Sequence, residues 1–304
     1  MATALITHDD CLGHLTPGGH PERVARLEAV LAALEGKDLI RVEAPLAEDA
    51  DLLRVHPRRH IERIATAETG ALDADTYMSE GSHRAARRAA GANVAAVDMV
   101  MAGDVANAFA AVRPPGHHAE RETPMGFCLF GNVAIAAKRL LDHHGLARVA
   151  VVDFDVHHGN GTQDLLWDEA RVLFASTHEM PLYPGSGAIT ERGAHGNILN
   201  APLEAGTDGP AFRRVMEREV LPALDAFAPQ FMLISAGFDA HMADPLAGLE
   251  LTEADFAWVT HGLCDLADAH CGGRVVSTLE GGYDLDALAA SAAAHVDVLM
   301  ERGQ

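Results

Sequence analysis

Residues Arg148 to Gly161, RVAVVDFDVHHGNG, constrain this chain more than any other stretch. Apart from Asp153, the positions from Val149 to Phe154 are apolar. Such a run reads as a strand buried on both faces, the kind found in parallel sheets. It then fills abruptly with groups that bind cations and move protons. Side chains alternate along a strand, so Asp153, Asp155 and His157 fall on one side if the extended geometry persists, with Val156 and His158 on the other. Two carboxylates and an imidazole at a strand's end are costly unless a cation or specific hydrogen bonds compensate them. Alone, the same residues also read as a helix cap followed by a Gly-rich turn, since Asp and Asn are good caps. The rest of the chain decides between the two.

The 304 residues, 48% of them apolar and 22% charged, are enough for one large α/β domain or two small ones. No stretch approaches the roughly 20 apolar residues that span a membrane. The opening MATALITHDD meets acidic residues too early for a signal peptide, which points to the cytoplasm. Cys11, Cys128, Cys264 and Cys271 show neither CxxC pairing nor a disulfide framework, so they read as reduced, buried thiols. A formal charge of −21 argues against nucleic-acid phosphate as a ligand and suits a cationic substrate. Only Lys37 and Lys138 among the basic residues are lysine, which genome composition and salt adaptation explain equally.

Strands and helices alternate along the whole chain. A strand at Ala2–Thr7 precedes a polar loop, and His20 to Gly36 reads as a helix with Pro21 in its first turn and Gly36 at its C-terminal cap. Further strands are expected at Leu39–Glu43, Asn107–Val112, Val172–Thr177, Phe231–Ala236 and Arg274–Leu279. Helices are expected from Pro57 to Thr66, Ser82 to Met101, Asn132 to His143, Gly161 to Asp168, Gly209 to Phe227, Glu253 to Ala269 and Asp284 to Glu301. Thr252 and Asp255 resemble a capping box. Neither a repeat nor a long linker divides the chain, so residues 1–304 read as one parallel, three-layer α/β domain.

Several of the expected strands discharge polar residues just past their C-terminal ends. Asn107–Val112 leads to His117 and His118, the central strand to Asp153, Asp155 and His157, and Val172–Ala175 to Ser176 and His178. Phe231–Ala236 leads to Asp239 and His241, and Arg274–Leu279 to Glu280, Gly281, Gly282 and Tyr283. In a parallel sheet these ends share one edge, where α/β proteins place ligands. Asp155, His157 and Asp239 form a mixed oxygen and nitrogen set that matches a catalytic zinc with an open position. Fe(II), Mn(II) or Co(II) would tolerate the same set. His117 and His118, stiffened by Pro114, Pro115 and Gly116, are candidates for general base and acid. Asp153 is placed to orient His117, and Asn160 to orient His118. Tyr283, after two glycines, is a candidate donor to a developing oxyanion, or a half-buried core tyrosine. Gly126, Phe127 and Tyr183 are candidate walls of a narrow channel, with core packing the alternative for Phe127.

The segments RPPGHHA (Arg113–Ala119), MGFCLFGN (Met125–Asn132), DFDVHHGNGTQ (Asp153–Gln163), STHE, YPGSG, GFDAHMADPLAGL (Gly237–Leu249) and EGGYD resemble the histone deacetylase superfamily. They are most similar to its class II branch and to bacterial deacetylases and acetylpolyamine amidohydrolases. The likeness runs in order from HPER at His20 to the final helix. It implies an arginase–deacetylase fold, a three-layer α/β arrangement around a mostly parallel sheet of about eight strands. It implies Zn²⁺ on Asp155, His157 and Asp239, with His118 as general base and acid, His117 as electrostatic helper and Tyr283 as the transition-state tyrosine. It also implies Phe127 and Tyr183 as channel walls and Asp75 as the rim aspartate that grips a substrate's backbone. Asp153, Asp155 and Ser176, with the His157 carbonyl, correspond to a structural monovalent-cation site, usually K⁺. Leu246 stands where polyamine-selective relatives carry Glu, which favours an acyl-lysine or a neutral amide. Asn160, where class I members have Asp, fits the class II branch.

The expected reaction is hydrolysis of an N-acetyl amide, with an acetylated lysine peptide or a small acetylated amine as partner. Neither nucleic acid nor membrane is expected, and assembly of identical copies is compatible with the sequence. The rivals are a two-manganese ureohydrolase on the same fold, an acetylpolyamine deacetylase and a non-catalytic acyl-lysine-binding protein.

Overall fold

The computed structural model describes residues 2–303. The chain opens with β1 (Thr3–Thr7), a 3-10 turn (Asp9–Gly13), α1 (Val24–Ala33) and β2 (Ile40–Glu43). Next come α2 (Asp49–Leu52), α3 (Arg58–Thr66), a hairpin of β3 (Gly70–Ala71) and β4 (Tyr77–Met78), and the long α4 (Ser82–Ala102). The middle of the chain holds β5 (Asn107–Ala110), α5 (Asn132–Asp142), β6 (Val149–Asp153), α6 (Asn160–Leu166), β7 (Val172–Glu179) and β8 (Ile198–Leu203). It ends with α7 (Gly209–Val215), a π-helical turn (Met216–Val220), α8 (Leu221–Phe227), β9 (Met232–Ala236), α9 (Glu253–His270), β10 (Val275–Leu279) and α10 (Leu285–Arg302).

Eight strands form one sheet in the order β2-β1-β5-β10-β9-β6-β7-β8, and every neighbouring pair is parallel. Parallel strands joined through helices are covered on both faces, which is why VAVVD in β6, MLISA in β9 and VVSTL in β10 are buried at every position. Helix α4 packs on α5, while α10 packs on α1 and α9, so the helices fall into two groups around the sheet. The four strands β5, β10, β9 and β6 lie side by side at its centre. Their C-terminal ends therefore open onto a common stretch of one edge. Among the described residues, no helix is long and apolar enough to cross a membrane.

Several boundaries differ from the sequence expectation for physical reasons. Helix α1 starts at Val24 rather than near Pro21, because Glu22 is captured by the buried Arg113 and the following Arg23 is extended, with φ −142 and ψ 159. The helix expected over Gly209–Phe227 contains a π-helical turn before Pro222, whose missing N–H cannot serve the carbonyl four residues back. Ser176 and His178 lie within β7 rather than beyond it. The capping box at Thr252 and Asp255 is present.

Candidate active site

Strand β6 ends at Asp153, and the chain turns out of the sheet before α6 begins at Asn160. Asp153 Oδ1 accepts the N–H of Asp155 at 3.1 Å, and Asp155 Oδ1 accepts the N–H of His157 at 2.9 Å, so each carboxylate braces the residue two places on. Asp239, three residues beyond β9, accepts the Val156 N–H at 2.9 Å. The result brings Asp155, His157 and Asp239 together, with one donor atom from each within 4.8 Å of the others. His157 Nδ1 lies 3.1 Å from both Asp155 Oδ1 and Asp239 Oδ2.

The trio fits a divalent ion on its own chemistry. Both carboxylates are fully buried, and a buried pair of like charges demands a cation between them. Burial pulls His157 down, but hydrogen bonds to Asp155 and Asp239 and their charges outweigh it and push the ring up to about 10. Two glycines make room for the trio. A Cβ on Gly237 would lie 2.0 Å from Asp155 Oδ2, and one on Gly281 would lie 2.0 Å from Asp239 Oδ2. Among the described residues no second group of this kind occurs.

His117 and His118 follow β5 in the loop stiffened by two prolines. Their rings lie side by side with centroids 4.0 Å apart but meet opposite electrostatics. His117 Nδ1 is 3.0 Å from Asp153 Oδ2. Burial disfavours its charge, yet Asp155 and Asp153 together raise it well above the ordinary imidazole value. His118 is also buried, and the positive rings of His117 and His157 add to that burial and hold it well below the ordinary value. Its Nδ1 is 2.7 Å from Asn160 Oδ1, while Asn160 Nδ2 donates to Glu120 Oε1 at 2.9 Å. Glu120 fixes which end of the Asn160 amide faces the ring, so His118 carries its proton on Nδ1 and presents a lone pair at Nε2.

A cavity of about 590 Å³, counting its open mouth, descends to this point. Its lining joins the buried His118, His157 and Tyr283 to the more exposed Phe127, Leu182 and Tyr183, with Gly126, Asp75 and Leu246 completing it. Gly126 lies against His118, where a Cβ would come within 2.4 Å of the ring. Phe127 adopts φ 68, a left-handed conformation uncommon for a side chain of this size, and its N–H is held by Thr76 Oγ1 at 3.1 Å. The Asp75 carbonyl faces His20 Nε2 at 2.9 Å, and its carboxylate accepts from the Thr76 hydroxyl. Ser176 is set beside Asp153 by the register of β6 and β7, and its Oγ lies 2.9 Å from His178 Nδ1.

The residues that hold this arrangement in place are less visible in the sequence. Glu280, at the end of β10, accepts the N–H groups of Gly116 and His117 at 2.7 and 3.2 Å and the Ser235 hydroxyl at 3.1 Å. Burial pushes its carboxyl up to about 7. Asp244 accepts from the N–H groups of Tyr283 and Leu246 at 2.7 and 3.0 Å, tying the phenol's backbone to the gate position. The Arg26 guanidinium lies 4.8 Å from the Tyr283 ring centroid and donates to the carbonyls of Gly282 and Glu280. Glu280 and Asp244 fall inside the segments EGGYD and GFDAHMADPLAGL, but their supporting role depends on partners distant in the chain, and Arg26 carries no local signal.

An all-parallel eight-stranded sheet whose central strand ends surround a buried Asp–His–Asp trio beneath an aromatic channel defines the arginase–deacetylase class of α/β protein. Within that class the chain belongs to the histone deacetylase family, whose model for the histone deacetylase domain matches residues 20–299. A histone deacetylase-like amidohydrolase of Pseudomonas aeruginosa is 43% identical over 272 residues, 86% of this chain and 71% of that protein. A probable deacetylase of Archaeoglobus fulgidus is 38% identical over 297 residues, 94% of this chain and 82% of that protein. The crystal structure of the HDA15 HD domain matches with a TM-score of 0.93 at 37% identity, covering 99% of this chain and 88% of that one.

Proposed function

We propose that this protein is a zinc-dependent deacetylase that removes the acetyl group from N-ε-acetyl-lysine in peptides or proteins. The observation that carries this reading is the cavity lined together by His118, His157 and Tyr283 and by the aromatic rings of Phe127 and Tyr183. A divalent ion held by Asp155, His157 and Asp239 supplies, when bound, polarisation of an acyl carbonyl and acidification of a water. His118, neutral and with Nε2 unprotonated, takes the proton of the attacking water and returns it to the departing amine. His117, kept cationic by Asp153 and Asp155, balances the negative charge that accumulates as the carbonyl is attacked. The Tyr283 hydroxyl donates to the developing oxyanion. Phe127 and Tyr183 flank the aliphatic stem of the lysine, and Asp75 at the rim grips backbone amides of the substrate. The neighbouring Asp153, Asp155 and Ser176, with the His157 carbonyl, suit a monovalent cation such as K⁺.

The alternative with a specific observation behind it is a small acetylated amine. The cavity asks only for an acyl amide on an extended stem, and nothing in that demand requires a peptide. The apolar Leu246 at the rim weighs against a polyamine, because it supplies no carboxylate where polyamine-selective relatives carry Glu, which leaves Asp75 to meet any second ammonium. Turnover of an acetyl-lysine peptide, acetylputrescine and acetylspermidine by zinc-replete protein separates these readings. Peptide turnover well above the two amines is expected. Preference for acetylspermidine would shift the assignment to the polyamine branch, and metal-loaded protein that binds the peptide without cleaving it would point to a reader of acyl-lysine. Two bound metal ions per chain would favour ureohydrolase chemistry.

A further inference from the structure

Tyr183 stands at the channel wall with 38% of its surface exposed. Its ring is nonetheless edge-on to His118 and His157, with centroids 5.2 and 6.2 Å apart. An exposed aromatic on a Pro/Gly loop keeps one position only where the loop is anchored elsewhere, because ordering it costs conformational entropy. The anchor lies just downstream, in a polar cluster of buried His158, Gln163 and His178 with half-buried Ser186 and Glu191 that none of the proposed chemical steps uses.

Ser186 Oγ lies 2.8 Å from His158 Nδ1, and His158 Nε2 lies 3.1 Å from Gln163 Oε1. Gln163 Nε2 donates to Glu191 Oε2 at 2.6 Å. The Glu191 carboxylate also accepts the backbone N–H groups of Gly187 at 3.2 Å and Ala188 at 3.1 Å. From the other side, His178 Nε2 donates to the Gly187 carbonyl at 3.0 Å. The directions of these bonds are determined. A carboxylate only accepts, so Gln163 turns its NH₂ to Glu191 and its carbonyl to His158. His158 therefore carries its proton on Nε2, and its Nδ1 accepts the Ser186 hydroxyl. Gly187, at φ 93, lies flat against both imidazoles: a Cβ there would come within 2.4 Å of His178 Nε2 and 2.7 Å of His158 Cγ. Because His158 directly follows His157, the loop is latched onto the metal-binding segment, which has its own braces in Asp153, Asp155 and Asp239.

We propose that His158, Gln163 and Glu191 are positioning residues that latch the loop after Tyr183 and thereby hold this wall of the channel at its narrow width. The consequence for substrate binding rests on the deacetylase reading, whereas the latch itself does not. His117, His118, Tyr283 and the metal trio have other supports, so loosening the latch weakens binding of the acyl-lysine stem and leaves the chemical step nearly intact.

The test uses Glu191→Ala and Glu191→Gln in the full chain. Glutamine is not conservative here, since its NH₂ would confront donors, and both variants are expected to behave alike. Amide hydrogen exchange across residues 183–188 should accelerate by about tenfold, the effect of one lost charge-assisted hydrogen bond, with α4 unchanged. On metal-replete protein with an acetyl-lysine peptide, KM should rise by about tenfold with kcat within about twofold of the parent. In a Tyr183→Ala background, Glu191→Ala should add no further rise in KM, because both act through one wall. Unchanged exchange overturns the latch, as does a fall in kcat at the parent KM or full additivity with Tyr183→Ala. Should the Glu191 variants fail to fold, Ser186→Ala decides: faster exchange at 183–188 supports the latch and parent exchange overturns it. A parent protein that does not turn over the peptide defeats the acetyl-lysine reading, and exchange alone then decides the latch.

Discussion

The phenol of Tyr283 stays protonated in this site. Burial, reinforced by the charge of Asp239, raises it well above its ordinary value, and the nearby Arg26 only partly offsets this. A group fixed as a donor suits an oxyanion and cannot serve as a base near neutrality. Tyr283→Phe is accordingly expected to lower kcat by about 10²–10³, the usual cost of one oxyanion donor, with the melting temperature close to the parent. Parent-like turnover would remove Tyr283 from the reaction. At this scale the chemistry-bearing residues were legible because their types are unusual in company: Asp155, His157 and Asp239 gather at strand ends where a core needs none of them. Glu280, Asp244 and Glu120 were not legible as supports. Each is an ordinary acid locally, and its partner lies far along the chain, as Gly116 does for Glu280.

Elements were readable in proportion to their burial. Strands β6, β9 and β10 announce themselves as unbroken apolar runs, but β8, ILNAPL, carries Asn200 and Pro202 and does not. Pro202 is tolerated because β8 is the sheet's edge, where one side of the backbone has no neighbouring strand to serve. The β3–β4 hairpin has two residues per strand and disappears into its polar surroundings. A second departure from local preference occurs where α8 ends: Ala228 takes φ 49 and ψ 65, the left-handed cap normally given to glycine. Replacing it should relieve that strain at the cost of some freedom in the unfolded chain. Ala228→Gly is expected to stabilise the protein by about 0.5–1 kcal/mol, measured by chemical denaturation, with turnover unchanged because the cap is remote from the channel. A destabilised variant would mean that the Ala228 side chain packs more favourably than its backbone is strained.

Across the whole molecule, burial sets the response to acid. His14 and His178 are held down at about 4 and His56, His158 and His295 at about 3, in each case chiefly by burial. The unfolded chain protonates these rings near 6.5, so between there and about 4 it binds protons that the folded chain does not, and stability falls as pH falls. Glu280 and Asp244 act in the opposite sense. Burial pushes both up to about 7, so on acidification the folded state takes up their protons first and gains stability. The depressed rings outnumber these two carboxyls, so a net loss of stability is expected on going from pH 7.5 to 4.5. Below that, Glu22 adds to the decline. Its burial favours the neutral acid, but Arg113 overrides this and holds it at about 2, so the stability it contributes above 4.5 is lost on descending toward 2. Thermal melts at pH 7.5, 6, 4.5 and 3.5 should therefore show a shallow decline that steepens in the last interval. A melting temperature that holds or rises from pH 7.5 to 4.5 would mean that the buried carboxyls, and not the imidazoles, dominate the interior.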